Sequence, residues 1–538
     1  MDLITKALRF VDPQRAAKRI VGQAALDIAA SLGEAPGDTN YDGASRLHRH
    51  LRNWRPRLLG ARQTYNKGEA DILSARSQDL YRNHPIARAA ISRVRLSAVG
   101  AGVIPHAAVD AEALGISPEA AANLNRAIDR EFKLWATDPR ECDAESALSF
   151  YGLQDLALVS SMVGGDVFSL TPHIERKFGT YGLKLQMVEG WRVSNPGNVQ
   201  NTSTLVDGVR LDGYGSPVAY HISEPRENDA LGLAHSSWRT FPAFGEKTGR
   251  RRVLHVWNEK DRPGQVRSAP FLAPIITPLA KLEKYSQAEL TAAVVSGLLT
   301  VFIEKDAEDE GDLDPTETAP WGGAEGGSDS EVSGDELALG TGAVLDLAPG
   351  EKANIADPSR PNANYAPFVD AVMMQIGAAL NIPKDELLLH YASSYSAARA
   401  AMLQAWAFYT SRRRQLVDLF ARPARDLWLD EAVARGRLSL PGYGDPARRV
   451  AYSEATWVGP ARGAIDELKE TKAAAARIDA KLSTRARESQ AITGEPWTGT
   501  VRQLGAEERA LRDEGIVAEE GQVGPPDLTD NVGKQGGE

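Results

Sequence analysis

The chain has 538 residues, 42% hydrophobic and 25% charged, with one cysteine and a formal net charge of −10. This is the composition of a folded protein with room for roughly two to four domains. The lone Cys142 excludes an internal disulfide framework and any multi-cysteine zinc site. No apolar run reaches the ~18 residues that a membrane helix needs, and the first ten residues lack a signal-peptide core, so the chain is expected to stay in the cytoplasm where it is made.

The charge is unevenly spread. Residues 304–337 hold thirteen Asp or Glu and one Lys, a local net of −12, which leaves the rest of the chain at +2. Residues 1–70 are Arg-rich and turn-rich, with Arg46, Arg49, Arg52, Arg55, Arg57 and Arg62 clustered around His48 and His50. A short helix and then an extended basic arm are expected there.

From Ser74 to Val99, apolar residues recur at helical spacing, with Pro85 expected to kink or restart the helix. Ser117-Pro118 starts a second helix that runs to about Trp135, and a third spans about 149–163. Short β-like runs follow at 166–170, 183–188, 208–212, 218–222 and 252–257, between Gly, Pro and Asn turns. Residues 71–268 therefore read as an α+β region. The longest apolar-periodic segment runs from 270 to 303 and reads as a helix from Pro278 on. Beyond the acidic stretch come a strand at 343–347, a helix at 365–380, a loop at 381–394 and a long helix from Tyr395 to about Trp428. Two more helices are expected at about 461–490 and 503–514, and a disordered tail at 516–538. The fold class is α+β, mainly helical.

Catalytic and metal signatures are missing. The sequence has no Walker A loop, no HExxH and no G-x-S-x-G. His48 and His50 have no nearby cysteine to complete a metal site. Asp306 to Glu317 places acidic groups at positions 1, 3, 5 and 12 of a calcium-loop pattern, with Gly311 at position 6. Positions 3 and 5 are Glu, and Ala319-Pro320-Trp321 cannot start the second helix, so a solvated acidic loop is favoured. No cofactor, no metal and no catalytic residue is expected.

Several blocks resemble the lambda-type family of bacteriophage portal proteins in order and spacing. They are Tyr41-Asp-Gly-Ala, Trp54-Arg-Pro56, Arg76 to Pro85, His255-Val-Trp257, and Arg262-Pro-Gly-Gln-Val-Arg267 followed by Pro270. Then come Gly342 to Glu351, Asp357 to Pro361, Ala379-Leu-Asn-Ile-Pro383, Ser393 to Ala400, Trp457-Val-Gly-Pro460 and Ile465 to Glu470. Two departures stand out: Ser393-Ser-Tyr-Ser396 permutes the family's usual stretch, and the acidic insert is longer and more charged than the pattern requires.

The resemblance implies a portal fold with wing, stem, clip and crown regions, assembling as a ring, normally of twelve copies, at one capsid vertex. It implies a basic arm at 1–70, wing at 71–268, stem helix at 269–300, clip at 301–363, second stem helix at 364–381, tunnel loop at 382–396, long helix at 397–435 and crown at 436–515. It implies a non-enzymatic channel for packaging and ejection of double-stranded DNA without sequence specificity. The implied partners are the terminase large subunit, the major capsid protein and head-completion or tail connector proteins, in the virion and, during assembly, in the host cytoplasm. A nucleic-acid-processing enzyme of a mobile element and a capsid or scaffold protein are the alternatives.

Duplex DNA carries about one charge per 1.7 Å, so a strongly basic tunnel would hold it fast. Between 365 and 396 only Lys384 is basic, against Asp370, Asp385 and Glu386. Lys384, Asp385, Glu386, His390 and Tyr391 are therefore expected to face the lumen, with an ordinary surface loop as the alternative. Arg46, Arg49, Arg52, Arg55 and Arg57 suit packaged DNA, a neighbouring copy, the capsid or plain solvent, with Arg399 as a further candidate for a DNA or subunit contact. Arg399 is expected in a structural ion pair, and Arg412-Arg413-Arg414 in an inter-subunit salt-bridge girdle.

Overall fold

The structure is a computed structural model that describes residues 41–45, 50–51, 53–65, 67–225, 235–297, 301–305, 351–355, 364–391, 394–463, 466–494 and 497–514. The chain divides into Met1–Thr64 and Tyr65–Glu538. In the first unit the described residues form a 3-10 turn at Asp42–Ala44 and a short helix at Ala61–Thr64, with Trp54 and Leu58 exposed.

In the second unit the helices of eight residues or more are α1 (Lys67–Asn83), α2 (Pro85–Ala98), α3 (Pro118–Thr137), α4 (Phe150–Gly164), α5 (Ile276–Gly297), α6 (Tyr365–Leu380), α7 (Tyr395–Leu416), α8 (Arg422–Ala434), α9 (Pro446–Ser453), α10 (Glu467–Asp479), α11 (Arg485–Thr493) and α12 (Trp497–Asp513). Local chemistry sets their ends. Pro85 restarts the helix: His84 is extended, and its Nδ1 accepts from the Ile86 N–H at 3.2 Å to cap α2. Ser117 caps α3 through the Ala120 N–H, and Ser149 caps α4 through the Gly152 N–H. Gly165, at φ 90°, ends α4 where a Cβ would lie 2.1 Å from the Ser268 carbonyl oxygen, so only glycine fits.

Strands β1 (Ile104–Ala107), β2 (Asp166–Leu170), β3 (Gln186–Glu189), β4 (Leu205–Val206), β5 (Val209–Leu211), β6 (Pro217–Pro225), β7 (His235–Pro242), β8 (Val253–Trp257), β9 (Val301–Lys305), β10 (Glu351–Ile355) and β11 (Ala455–Val458) make four antiparallel sheets. Their orders are β3-β2-β8, β4-β5-β6-β7, β1-β11 and β9-β10. Phe168, Val188, Val206, Val209, Tyr220 and Ile222 close the space between the two larger sheets.

The main core is aromatic. Phe132 on α3 meets Trp428 on α8 edge-on at 4.9 Å, and Phe150 on α4 stacks on Phe420 at 6.0 Å. The Trp135 indole N–H donates to the Leu183 carbonyl at 3.0 Å. The long C-terminal helix is thus pinned against α3 and α4. Between α7 and α8 the backbone widens into a π segment at Val417–Ala421. Pro423 follows it, and the wider turn accommodates the missing N–H and the ring, so the helix continues instead of breaking.

Four expectations are corrected. The helix expected to reach Ile303 stops at Gly297, and the β-branched Val301 and Ile303 lie in β9 instead, paired with β10. The loop expected at 381–394 contains a helical turn, Lys384–Leu388. The helix expected at 461–490 is two helices, because Thr484 caps a new start through the Arg487 N–H. The strand expected at 183–188 begins only at Gln186, and Leu183 makes an isolated bridge with His173. The strand expected at 343–347, the acidic insert beyond Lys305 and the tail beyond Glu514 lie outside the described residues.

Candidate functional site

Helices α5 and α6 pack together as a hairpin, and β9 and β10, which lie between them in sequence, pair as an antiparallel ribbon. Tyr285 on α5 stacks on Tyr365 and meets Phe368 edge-on at 4.9 Å, and the Tyr365 hydroxyl donates to Ser286 Oγ at 2.9 Å. Their inner faces bury Leu279, Leu282, Met373, Ile376 and Leu380. Other apolar side chains of the pair stay open: Leu290 is 67% exposed, Val294 60% and Met374 56%, and Phe368 remains 49% exposed beside Tyr285.

The loop after α6 is folded back against the chain. Asn381 turns left-handed at φ 57° to end the helix, and Ile382 is buried. Gly377 is required beneath it, since a Cβ there would lie 2.6 Å from the Ile382 carbonyl oxygen. Lys384 Nζ donates to Asp370 Oδ2 on α6 at 2.9 Å, and Leu387 is buried. The Tyr409 hydroxyl on α7 donates to Glu386 Oε1 at 2.8 Å. Burial raises the Glu386 carboxyl above its ordinary value, partly offset by that hydrogen bond. Burial and the Glu386 charge push the Tyr409 phenol upward. Leu389 then adopts φ 54°, which costs an L-residue about 1–2 kcal/mol, and beyond it His390 and Tyr391 are exposed.

The five candidate loop residues therefore divide. Lys384 and Glu386 bracket the turn to α6 and α7. Asp385 lies half-buried in that turn, beside a small cavity of about 100 Å³ shared with Tyr391, Met402 and Trp406. His390 and Tyr391 are exposed, Tyr391 at the edge of that cavity.

The arginines also divide. Arg55 and Arg57 are exposed, whereas Arg46, Arg49 and Arg52 lie outside the described residues. Arg399 Nη2 stands 3.7 Å from Glu470, the structural pair expected of it. The girdle expected of Arg412 to Arg414 is corrected. Arg412 is buried, donates to the Asn258 carbonyl at 2.5 Å and lies over Phe271 and Phe408. Arg413 donates to the carbonyls of Ala98 (2.8 Å), Ser97 and Pro460 (2.9 Å each), capping the end of α2. Arg414 is exposed and sits 3.8 Å from Asp418. Successive helix positions diverge by about 100°, and two of the three directions lead into the chain's own core.

Two groups escaped sequence reasoning. Asp166 at the head of β2 is buried and accepts from Arg267 Nε at 2.5 Å, His255 Nε2 at 3.2 Å and the Ser268 N–H at 3.1 Å. Arg267 also donates to the carbonyls of Gly190, Val193 and Asp207 and lies over the Phe168 ring. Burial opposes the Asp166 charge, yet Arg267 and His255 hold its carboxyl below the ordinary range. Burial keeps His255 neutral, its value lowered despite the Asp166 bond. Only the motifs His255-Val-Trp257 and Arg262 to Arg267 hinted at this knot. The second group, His173, Glu175 and Glu431, has the donor set of a metal site. Arg435 already takes the cation's place, 2.5 Å from both carboxylates, and Glu431 also caps the N–H groups of Gly182 and Leu183.

The family described as "Phage portal protein, lambda family" matches residues 47–413. The chain belongs to the lambda family of phage portal proteins. "Portal protein B" of Escherichia phage lambda is 26% identical over 478 residues, 86% of this chain and 87% of that protein. The "Portal protein" of Escherichia phage N15 is 26% identical, with 86% and 88% covered. The "Probable portal protein" of Halomonas phage phiHAP-1 is 24% identical, with 87% and 86% covered. Among solved structures, a chain of the "Neck of native GTA particle computed with C12 symmetry" is similar at a TM-score of 0.38 and 12% identity, covering 78% of this chain and 94% of that one. Membership makes this portal chain a structural virion component rather than an enzyme, which retires the mobile-element enzyme and the scaffold.

Proposed function

We propose that copies of this chain close into a ring at one capsid vertex and that DNA enters and leaves the head through its centre. The observation that carries this reading is the α5–α6 hairpin. Only Asp370 is charged between Tyr365 and Leu380, yet Phe368 and Met374 stand half-exposed. A helix with so little charge on its outer face seeks a partner. Identical hairpins from neighbouring copies supply one, and a head-to-tail contact repeated by rotation closes a ring.

In this ring α5 and α6 are the stem helices, β9 and β10 belong to the clip, residues 71–268 with α7 and α8 form the wing, and α10 to α12 form the crown. The loop at 382–396 faces the lumen and meets duplex DNA through sterics and a sparse field, without reading sequence. The lone Lys384 there is already neutralised by Asp370, so the passage offers DNA little to adhere to. The terminase large subunit docks on the ring during packaging, the major capsid protein surrounds it, and head-completion or tail proteins join it afterwards. Assembly takes place in the host cytoplasm.

Negative-stain electron microscopy of the purified full chain, with sedimentation to size the particles, tests this reading. Closed rings with a central hole wide enough for a duplex of ~20 Å are expected, in keeping with groove dimensions of ~6–12 Å. A protein that remains monomeric at every concentration and ionic strength, or forms closed shells, contradicts it.

A further inference from the structure

The excursion between β2 and β3 continues as a hairpin beyond its named strands. His173 bridges Leu183, the Ile174 N–H donates to the Gly182 carbonyl at 2.7 Å, and the Gly179 N–H closes the tip on the Arg176 carbonyl at 2.9 Å. At that tip Phe178 is 94% exposed and its backbone is left-handed, at φ 66°. Each state is unfavourable for phenylalanine in an isolated chain.

The tip nevertheless rests on a fixed pedestal. The Arg176 guanidinium donates to the carbonyls of Arg140 (3.2 Å) and Ala144 (2.5 Å) and to the Ser146 hydroxyl. The Glu141 carboxylate accepts from the N–H groups of Thr180 at 2.7 Å and Tyr181 at 3.0 Å. Lys177 lies 5.3 Å from the Phe178 ring. A rigid, solvated aromatic beside a cation has the form of an interface anchor whose ordering cost is met before binding.

The base of the same hairpin carries a cavity of about 260 Å³ between α1, α4 and the turn after β3. Tyr81, Val159, Val163 and Trp191 contribute its apolar surface, and Glu189 stands on its rim. An engineered apolar cavity of about 150 Å³ already admits benzene, so this one admits a benzyl group. Glu189 accepts from the Trp191 indole N–H at 2.6 Å and makes no ion pair among the described residues, so its charge complements Lys177, while Arg82 supplies a cation elsewhere in the lining. Phe178 is 94% exposed and does not line this cavity, so the tip stands outside the base of its own chain.

We propose that Phe178 of one copy seats in the Tyr81–Val159–Val163–Trp191 cavity of the next, with Lys177 against Glu189. The contact is heterologous: every copy offers a tip and a base, which is the arrangement that rotation closes into a ring. It rests on the ring reading above and specifies where neighbouring copies touch.

The test uses the full chain. Phe178→Cys and Ser160→Cys are introduced singly and together and treated with a short bis-maleimide, with the buried Cys142 as a silent background thiol. Ser160 lines the cavity. The double variant is expected to give a ladder of covalent oligomers up to ring size, and each single variant none. In parallel, Phe178→Ala should raise the concentration for half-assembly by about tenfold or more. Lys177→Glu and Glu189→Lys should each raise it by a few-fold, and their combination should restore it. Intact rings with no ladder and wild-type assembly of the single variants overturn this contact and leave the ring standing. An unmodified chain that forms no rings at all overturns the ring reading and this contact with it.

Discussion

Arg267 Nε lies 2.5 Å from Asp166 Oδ2, across 101 residues of sequence. The pair joins the head of β2 to the segment that leads into α5, and so ties the proposed wing to the proposed stem. Neither partner is replaceable alone. Arg267→Met leaves the Asp166 charge buried without its cation and is expected to cost about 3–5 kcal/mol. Chemical denaturation of the variant measures this, and a loss within error of zero removes the pair from the account.

Acid should loosen the same knot in two steps. His255 has a folded value lowered from 6.5, so the unfolded chain takes up its proton first and stability falls as pH drops below that value. Asp166 is held below its ordinary 3.8, so its contribution is present above that value and is lost as pH falls through the folded value. Denaturation midpoints across pH 7 to 3 should decline in the wild type. In a His255→Phe variant the upper part of the decline should flatten.

The aromatic core predicts a separate loss. Phe132 packs against Trp135, Phe150 and Trp428. Phe132→Ala should cost about 3–5 kcal/mol in unfolding free energy, because α4 and α8 both lose their neighbour on α3 at once. A cost near that of an exposed alanine substitution would show that the core is not packed as described.

Much of this framework was legible in the sequence. The restart at Pro85, the helix start at Ser117, the helix from about 149 and the span Tyr365–Leu380 follow from local signals, and each element stands where those signals put it. Pairings between distant segments carry no such signal. Strand β1 joins β11, matching Ile104 with Val458, although neither run alternates clearly. Strand β7 reads His-Ser-Ser-Trp-Arg-Thr-Phe-Pro, polar enough to pass for a loop, and exists because β6 supplies its hydrogen-bond partner. Arg412 and Arg413 look like surface charge until the carbonyls and rings that receive them are brought in from elsewhere in the chain. In the loop after α6, the charge pattern was visible but the Tyr409 anchor was not, since it depends on how α7 packs.

That anchor has its own signature. Tyr409→Phe removes the hydrogen bond to Glu386 and should raise hydrogen exchange at 384–391 by roughly five- to tenfold, the equivalent of about 1 kcal/mol of local stability. Because the folded value of Glu386 is raised above 4.5, its burial costs least when it is protonated. The turn should therefore tighten as pH falls towards 4.5, opposite in sign to the Asp166 knot. Exchange rates that rise on acidification, after correction for intrinsic exchange, would contradict this.

Cys142 offers a simple probe of integrity. It is fully buried, and burial pushes its thiol up to about 12. It should resist thiol reagents at pH 8 in the native protein and react fully once denaturant unfolds the chain, because only the thiolate attacks. Rapid native labelling would mean that the α3–α4 region opens far more readily than its packing implies.

In the proposed ring the segment after α6 lines a passage shared by many copies. A cryo-electron-microscopy reconstruction of the assembled full chain tests it most directly. A closed ring is expected in which His390 and Tyr391 lie nearest the axis, with Lys384 and Glu386 behind them on Asp370 and Tyr409. A ring whose outer wall carries residues 384–391, or an assembly with no axial passage, would contradict it.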